Sequence, residues 1–348
     1  MNRLLTFMTC LLFAGVLQAQ EIKNEQISLV TKKTATWCPN CGAAAWTSFL
    51  DMIEDGDGKS LPIAAHFSSS SELFSTTAAA IVDNFEFVPG QPVFYFNRER
   101  LSGSGASTVT QMNERVQAAS EQTPLVGLGI EAAFENGQLT FAYAMEFLEA
   151  TSGTYQVGFY PIRKTVIARQ SNQGNEAEHK QILDNELLGA DFGIVVADGD
   201  IEAGTTTSNP YVVNNAAGYN TDVENGNLDL AIIVWNKVGD NEYEYVNAAF
   251  TNVIQGQLSN VETLSSSVTK ITAMPTQAGT TLLEVDTKTA LDKAQLNIFS
   301  IDGRLLAQPY TGKLSTGKHQ FSFEGKAGIY VANLLVDGKQ VTKKFIVQ

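Results

Sequence analysis

Apolar and polar positions alternate with two different periods along residues 21–120, which predicts strands and helices in turn. Short apolar runs are typical of buried strands, and apolar positions three or four residues apart are typical of helices. The predicted strands are Ile27–Val30, Leu61–Phe67 and Val93–Phe96. The predicted helices are Gly42–Ile53, Glu72–Val82 and Val109–Ala119, the last of them capped by Ser107. This order predicts an α/β module.

Residues 121–260 change to a pattern of strands and turns. The apolar or alternating runs are Val126–Phe134, Gln138–Phe147, Tyr155–Val166, Asp229–Trp235 and Tyr243–Phe250. The stretch Glu135-Asn136-Gly137-Gln138 is typical of a hairpin turn. Several short strands joined by turns predict an antiparallel β-sandwich. A polar segment from Gln170 to Glu186 interrupts the strands, and we expect its histidine, His179, to be exposed to solvent beside Glu176 and Glu178.

The end of the chain predicts a third, all-β unit. Residues 261–274 are rich in Ser and Thr and are typical of a linker. From residue 275 to residue 348, apolar stretches alternate with Gly turns, which predicts a small separate β-sandwich. The chain is therefore expected to be multi-domain, with an α/β domain at 20–120, a β-sandwich at 121–260 and this last domain.

The first 19 residues have the features of a secretory signal peptide. A positive start at Arg3 precedes a short apolar core, Leu4–Leu17, and a small residue, Ala19, precedes a polar stretch. We expect cleavage after Ala19, which would remove Cys10. The apolar core is too short to span a bilayer comfortably, and no other apolar run in the sequence approaches that length. The mature chain is thus predicted to be exported and to carry no transmembrane span.

The net charge of the chain indicates which classes of partner to expect. The formal net charge is −14 and the sequence pI is about 4.7. An acidic surface repels phosphate groups, so nucleic acid is excluded as an expected partner.

The mature chain keeps two cysteines, Cys38 and Cys41, separated by Pro39 and Asn40. Two thiols at this spacing, between a predicted strand and a predicted helix, indicate a redox site, because the N-terminal end of a helix stabilises a thiolate. Cys38 would be the attacking sulfur and Cys41 the resolving one. A structural disulfide and half of a zinc site remain alternatives.

Zinc is disfavoured because a structural site needs about four ligands. The three histidines, His66, His179 and His319, fall in what look like three different domains. We therefore expect no metal and no organic cofactor.

The first hundred mature residues resemble the thioredoxin fold. The resemblance rests on the order of elements, on Trp37-Cys38-Pro39-Asn40-Cys41, and on Gly90-Gln91-Pro92 before a strand. Pro92 is a candidate cis peptide, since only proline adopts cis at low cost. In that family the cis-proline loop faces the cysteine pair and holds the substrate backbone, which implies this role for Gln91 and Pro92. Trp37 would add an apolar contact.

The sequence departs from thioredoxins six positions before the first cysteine. The family carries a buried Asp there, whereas this chain has Lys32, followed by Lys33. An amine pointing at the cysteine pair would favour the thiolate. Both lysines are therefore possible modulators of the cysteine pKa values, unless they point to solvent.

Two further resemblances concern the whole chain. Residues 25–255 resemble the 28-kDa outer-membrane-protein family of Bacteroidota, whose members tend to be acidic at the positions of Thr31 and Lys32. The last domain resembles the C-terminal sorting domain of the type IX secretion system. The residues that carry this second resemblance are Asn297–Arg304, Ala327–Tyr330 and the strand ending at Gln348. It implies export across the outer membrane by that machinery, followed by release or attachment at the cell surface.

Two functions follow as hypotheses. The first is an exported thiol–disulfide oxidoreductase, in which Cys38 attacks a protein disulfide and Cys41 resolves the mixed disulfide. The second is a surface binding protein or adhesin, in which the Cys38–Cys41 bond is only a staple and the sandwich carries recognition.

Overall fold

A computed structural model describes residues 21–56, 58–101, 105–214, 216–256, 258, 268–277, 279–300, 305–336 and 339–347. The predicted signal peptide, with Cys10, lies outside the described residues, and so do residues 261–267 of the predicted linker. The remainder of that predicted linker is not a loop, because residues 268–274 belong to a strand, Val268–Gln277.

Residues 21–120 alternate strand and helix, as predicted. The elements are β1 (Ser28–Thr34), α1 (Ala44–Asp55), β2 (Ser60–His66), α2 (Thr76–Asn84), β3 (Val93–Phe96), β4 (Glu99–Arg100) and α3 (Ala106–Ser120). The predicted start of α2 is corrected by four residues, because the Ser75 hydroxyl accepts a hydrogen bond from the Ala78 N–H and caps the helix. The Ser107 cap is also corrected, since α3 begins at Ala106, after Gly105.

The next part of the chain is almost entirely strands. They are β5 (Val126–Glu135), β6 (Gln138–Phe147), β7 (Thr151–Gln170), β8 (Gly174–Leu183), β9 (Ile194–Ile201), β10 (Thr206–Val213), β11 (Leu228–Gly239), β12 (Glu242–Asn252) and β13 (Ile254–Gln255), with one short helix, α4 (Asn220–Glu224). The predicted hairpin between β5 and β6 turns at Asn136 and Gly137, which both have positive φ. The polar segment starting at Gln170 was not predicted as a strand, but most of it forms β8.

The largest sheet crosses the boundary predicted at residue 120. Its strand order is β12-β11-β7-β8-β2-β1-β3-β4, with β9 also paired to β7. β8 runs parallel to β2 and pairs with it at Ala64 and Ile182. A second sheet, β10-β6-β5-β13, packs on one end of the first. One sheet therefore joins the segment predicted as an α/β domain, 20–120, to the segment predicted as a β-sandwich, 121–260.

Strand β11 of the largest sheet is buried on both faces. Leu230 and Ile232 face the core between the two sheets. Ile233 and Trp235 face the opposite core, which they share with Leu29 of β1. A strand covered on both faces needs apolar residues at consecutive positions, and not only at alternate ones.

The C-terminal part is a sandwich of two small sheets. Its strands are β14 (Val268–Gln277), β15 (Thr280–Thr287), β16 (Leu291–Ser300), β17 (Leu305–Leu314), β18 (Gly317–Glu324), β19 (Gly328–Val336) and β20 (Lys339–Val347). The sheet orders are β14-β15-β18 and β17-β16-β19-β20. The described chain is thus rich in β-strands and contains several sheets, as expected. Residues 301–304, which contribute to the resemblance to a sorting domain, lie outside the described residues.

Candidate functional site

Cys38 and Cys41 are joined by a disulfide bond just beyond the end of β1. Cys41 lies in a short 3-10 turn, Asn40–Gly42, and α1 begins only after Ala43, whose φ of −100° and ψ of −129° interrupt the helix. The predicted helix start at Gly42 is therefore corrected. Cys41 belongs to a separate turn and not to the first turn of α1.

The local backbone still directs a donor at the outer sulfur. The Cys41 N–H donates a hydrogen bond to Cys38 Sγ, with a distance of 3.1 Å. A backbone N–H at this position favours a negative charge on the sulfur. Both cysteines are buried. Cys38 is 3% exposed to solvent and Cys41 is 0% exposed, so Cys38 is the outer cysteine of the pair.

The loop before β3 approaches the same sulfur. The Gln91–Pro92 peptide bond is cis, as predicted. The carbonyl oxygen of Gln91 lies 3.8 Å from Cys38 Sγ. The structure therefore brings together Cys38, Gln91 and Pro92, which are far apart in the sequence.

Apolar side chains lie exposed in the two loops that form this site. Trp37, directly before Cys38, is 41% exposed, and its Nε1 donates a hydrogen bond to Ser68 Oγ, with a distance of 3.3 Å. Phe87, in the loop that leads to the cis peptide, is 87% exposed. Large exposed apolar residues often mark contact surfaces. The sequence analysis expected an apolar contact from Trp37 but did not single out Phe87.

The two lysines of β1 point to opposite faces of the sheet, because successive side chains alternate along a strand. Lys32 faces α1, and its Nζ donates a hydrogen bond to the Cys41 carbonyl oxygen, with a distance of 3.3 Å. Lys33 faces the other side, and its Nζ donates to the Val88 carbonyl oxygen, with a distance of 3.0 Å. Neither lysine is exposed to solvent. Only Lys32 lies against the cysteine turn.

Burial sets the charge state of Lys32. It lowers the pKa of the Lys32 amine from its ordinary 10.5 to about 7. Nζ lies 5.2 Å from the centre of the Trp46 ring and 5.5 Å from that of Phe49, which stabilise its cationic form. Near neutral pH the amine can therefore either donate or accept a proton beside the Cys41 backbone.

Two histidines complete the buried polar region behind the cysteine turn. His179 is 3% exposed and His66 is fully buried, with 5.3 Å between their ring centres. The expectation that His179 is solvated was wrong, because its ring is buried against that of His66. His179 follows the buried Ala177 by two positions on β8, so strand alternation places it on the buried face, opposite the exposed Glu178.

Each imidazole uses one nitrogen and leaves the other unpaired. His66 Nδ1 lies 2.9 Å from Ser71 Oγ, and His179 bonds to the backbone at Ala168 and Arg169. Within the described part of the chain, neither Nε2 atom has a hydrogen-bond partner. Burial lowers the pKa of His179 to about 4 and that of His66 well below its ordinary value. Both rings are neutral at pH 7.

The tip of the β7–β8 hairpin covers the cysteine loop. The Ser171 N–H donates to the Thr36 carbonyl oxygen, with a distance of 2.9 Å. Three side-chain amides donate to the next carbonyl groups: Gln170 to Cys38 at 2.9 Å, Asn172 to Pro39 at 3.1 Å and Gln173 to Gly42 at 2.7 Å. We call these three side chains the amide clasp. Sequence analysis missed them, and their only local signal was the polar stretch Gln170–Gln173.

Comparison with known proteins gives a structural likeness and no family. No family model and no curated protein match the chain. HBP35 of Porphyromonas gingivalis superposes with a TM-score of 0.52 and 15% identity, over 94% of this chain and 100% of that one. At this identity the likeness shows a shared fold alone. A two-domain fibronectin type-III segment of chicken tenascin reaches a TM-score of only 0.19, with 8% identity over 63% of this chain and 97% of that one, and carries no argument.

Among the helices described, none has both the length and the apolar character to cross a bilayer. In the described residues, no three side chains of the His, Cys, Asp or Glu type lie together in a way that could hold a metal ion.

Proposed function

We propose that the protein is an exported thiol–disulfide oxidoreductase that acts on protein disulfides through Cys38 and Cys41. The observation that carries the proposal is the position of Cys38 Sγ, which lies between the Cys41 N–H at 3.1 Å and the carbonyl oxygen of a cis peptide at 3.8 Å. The first group favours a thiolate. The second belongs to a backbone that could align a client chain beside the sulfur, in the manner of the thioredoxin fold.

The reaction needs no cofactor to balance. In the reduced protein the Cys38 thiolate attacks one sulfur of a client disulfide, a mixed disulfide forms, and the other client sulfur leaves as a thiolate. Cys41 then loses its proton and attacks Cys38 Sγ, which releases the client dithiol and leaves the Cys38–Cys41 disulfide. Two electrons pass from the protein to the client, and the reverse sequence oxidises a client.

Lys32 is the group best placed to serve the second step. Its amine lies against the Cys41 carbonyl and has a pKa of about 7, so its neutral form can accept the proton that Cys41 loses. The exposed Trp37 and Phe87 would supply apolar contacts for the client chain. Lys33 bonds on the opposite face and has no part in this step.

The cellular context belongs to the same proposal. Export through the signal peptide, membership of the 28-kDa outer-membrane-protein family and recognition by the type IX secretion machinery rest on sequence resemblance. The fold shared with a protein of Porphyromonas gingivalis is compatible with such an origin. Clients would then be protein thiols or disulfides outside the cytoplasm, where disulfides persist.

One observation favours a second candidate, a surface binding protein with a structural disulfide. Cys38 is 3% exposed and the amide clasp covers the loop, whereas a working exchange site must admit a client sulfur. In that case the cysteine pair would stabilise the junction between the hairpin and β1, and recognition would lie elsewhere.

The reduction potential of the Cys38–Cys41 pair separates the two candidates. The mature protein is equilibrated in glutathione buffers and the dithiol fraction is measured. A potential of about −120 to −180 mV, as in oxidants and isomerases, supports exchange, whereas a value below about −300 mV is typical of structural disulfides.

Matched variants test the roles of the two sulfurs. The variant Cys38→Ser should lose exchange with a protein disulfide such as that of insulin. The variant Cys41→Ser should still attack but should accumulate the mixed disulfide, because its resolving sulfur is gone. Equal loss in both variants, with no trapped adduct, would contradict the assigned order.

A further inference from the structure

The amide clasp makes the cysteine loop depend on a hairpin more than 120 residues away in the chain. Gln170, Asn172 and Gln173 each donate to a carbonyl oxygen of the loop, over distances of 2.7 to 3.1 Å. Their acceptors belong to Cys38, to Pro39 and to Gly42, so the bonded positions bracket the disulfide. The clasp therefore holds the backbone at Cys38 and at Gly42, the residue that directly follows Cys41.

The approach of the hairpin is close enough to require a glycine. A Cβ added at Gly42 would overlap the carbonyl oxygen of Ser171. Gln170 is itself buried, with 2% exposure, and its Nε2 also lies 3.3 Å from the Ser171 carbonyl oxygen. The hairpin turns through Asn172, which has a φ of 70°. These constraints give the tip one defined position on the loop.

Holding the loop has a consequence for the chemistry of the pair. When the disulfide is reduced, the loop gains conformational freedom, and that gain favours the dithiol. None of the three clasp amides bonds to a sulfur, so all three bonds can persist after reduction. A loop held in both states keeps the Cys41 sulfur near Cys38, which raises the effective concentration of one sulfur at the other.

We propose that Gln170, Asn172 and Gln173 are positioning residues, which stabilise the disulfide over the dithiol and speed the attack of Cys41 on the mixed disulfide. For its kinetic part the inference rests on the proposed function. The β7–β8 hairpin would then contribute to the exchange reaction, although it lies outside the segment that carries the cysteines.

The test compares a double variant, Gln170→Ala with Gln173→Ala, to the wild-type protein in glutathione buffers. We expect the equilibrium constant for disulfide formation to fall about tenfold, which corresponds to a rise of about 30 mV in reduction potential. The rate at which Cys41 releases a glutathione mixed disulfide should fall as well. Asn175→Ala is the matched control, because it removes an exposed side-chain amide of the same strand, β8, outside the three residues of the clasp.

The outcomes distinguish this inference from the proposed function. If the reduction potential and the release rate of the double variant equalled those of Asn175→Ala and of the wild-type protein, the proposed role of the amide clasp would be wrong. The potential is measured with glutathione alone, so it tests the clasp even when the wild-type protein fails to exchange with a protein disulfide.

A second variant covers the case in which the double variant does not fold. Gln173→Met removes one donor at the exposed tip and keeps a side chain of similar length. It should shift the potential in the same direction by a smaller amount, and no shift there would count against the proposal.

Discussion

The C-terminal sandwich and the rest of the molecule differ in how they close. In the sandwich every strand from β14 to β20 pairs with another strand of the sandwich, and its buried core is drawn from residues 271–347. In the remainder, residues 21–120 and 121–256 contribute strands to the same sheet and side chains to the same cores. The strands of the first part pair only among themselves, whereas the second part is closed by strands from both of its segments.

The shared sheet gives the cysteine site a second supporting segment. A module closed on itself must hold such a loop with its own residues. Here β8 lies beside β2, and its hairpin reaches the cysteine loop with three side-chain amides and one backbone amide. The site is therefore built by two segments that the sequence analysis assigned to separate domains.

The largest effect is expected from cutting the chain at the predicted boundary. A fragment of residues 21–120 would lose β8 and the apolar surface of β7 and β11 that covers its core, so it should not unfold cooperatively. A fragment of residues 21–258 keeps these strands. Its unfolding in urea, measured by circular dichroism, should be cooperative. A cooperative transition in the shorter fragment would contradict the shared core.

A smaller effect is expected from single core substitutions on the two sides of the comparison. Trp235 is fully buried, donates from Nε1 to the Tyr160 hydroxyl at 2.9 Å and meets Phe192 edge to face. Trp235→Ala should cost about 3–5 kcal/mol, as is usual for a buried Trp. Hydrogen exchange should show faster opening of β1, although Trp235 lies in β11.

The matched substitution in the sandwich is Leu296→Ala, at another fully buried position. It should cost about 2–5 kcal/mol. The exchange rates of β14–β20 should rise, while those of β1 stay as in the wild-type protein. If both substitutions opened β1 equally, the sandwich would not be independent.

The smallest expected effect is the pH dependence of stability that comes from buried titratable groups in residues 21–256. The pKa of His179 is lowered from 6.5 to about 4, so the folded protein binds fewer protons than the unfolded chain between these values. Its neutral form favours folding at higher pH, and stability is lost as the pH falls from 6.5 to about 4. His66 acts in the same direction.

Glu186 acts in the opposite direction. Burial raises the pKa of Glu186 to about 7, against the effect of backbone N–H groups such as those of Phe159 and Leu188. Stability from this group is present below pH 4.5 and is lost as the pH rises to about 7.

The midpoints of urea unfolding at pH 5 and at pH 7 should therefore differ between the wild-type protein and variants of the two groups. His179→Phe should lose less stability than the wild-type protein on acidification, and Glu186→Gln should lose more. Identical shifts in all three proteins would remove both groups from the pH response.

Much of the framework of the site was predictable because its signals are local. The spacing of Cys38 and Cys41 lies within four residues, and the cis bond at Pro92 was expected because it is available to proline. The continuous apolar run of β11 also indicated burial, although not that its two faces belong to two cores. The boundaries of the helices were less certain, since caps such as Ser75 compete with other polar residues nearby.

The residues that were missed share one cause. His179 lies in a polar segment with acidic neighbours, which gives no apolar signal for a buried strand. The pairing of β8 with β2 places its ring against that of His66. The amide clasp is likewise formed by residues that contact partners more than 120 positions away. Local periodicity identifies neither contact, because the partner in each case lies more than 100 positions away in the chain.

The sequence by itself determined the order of strands and helices, the cysteine pair and the β-rich character of the last two thirds of the chain. These depend on side-chain periodicity and on backbone preferences that act over a few residues. Only the tertiary structure decided that β8 joins β2, that Lys32 rather than Lys33 lies against the cysteine turn, and that a distant hairpin holds the loop. Such contacts depend on which distant surfaces bury each other, because strand pairing joins segments whatever their separation along the chain.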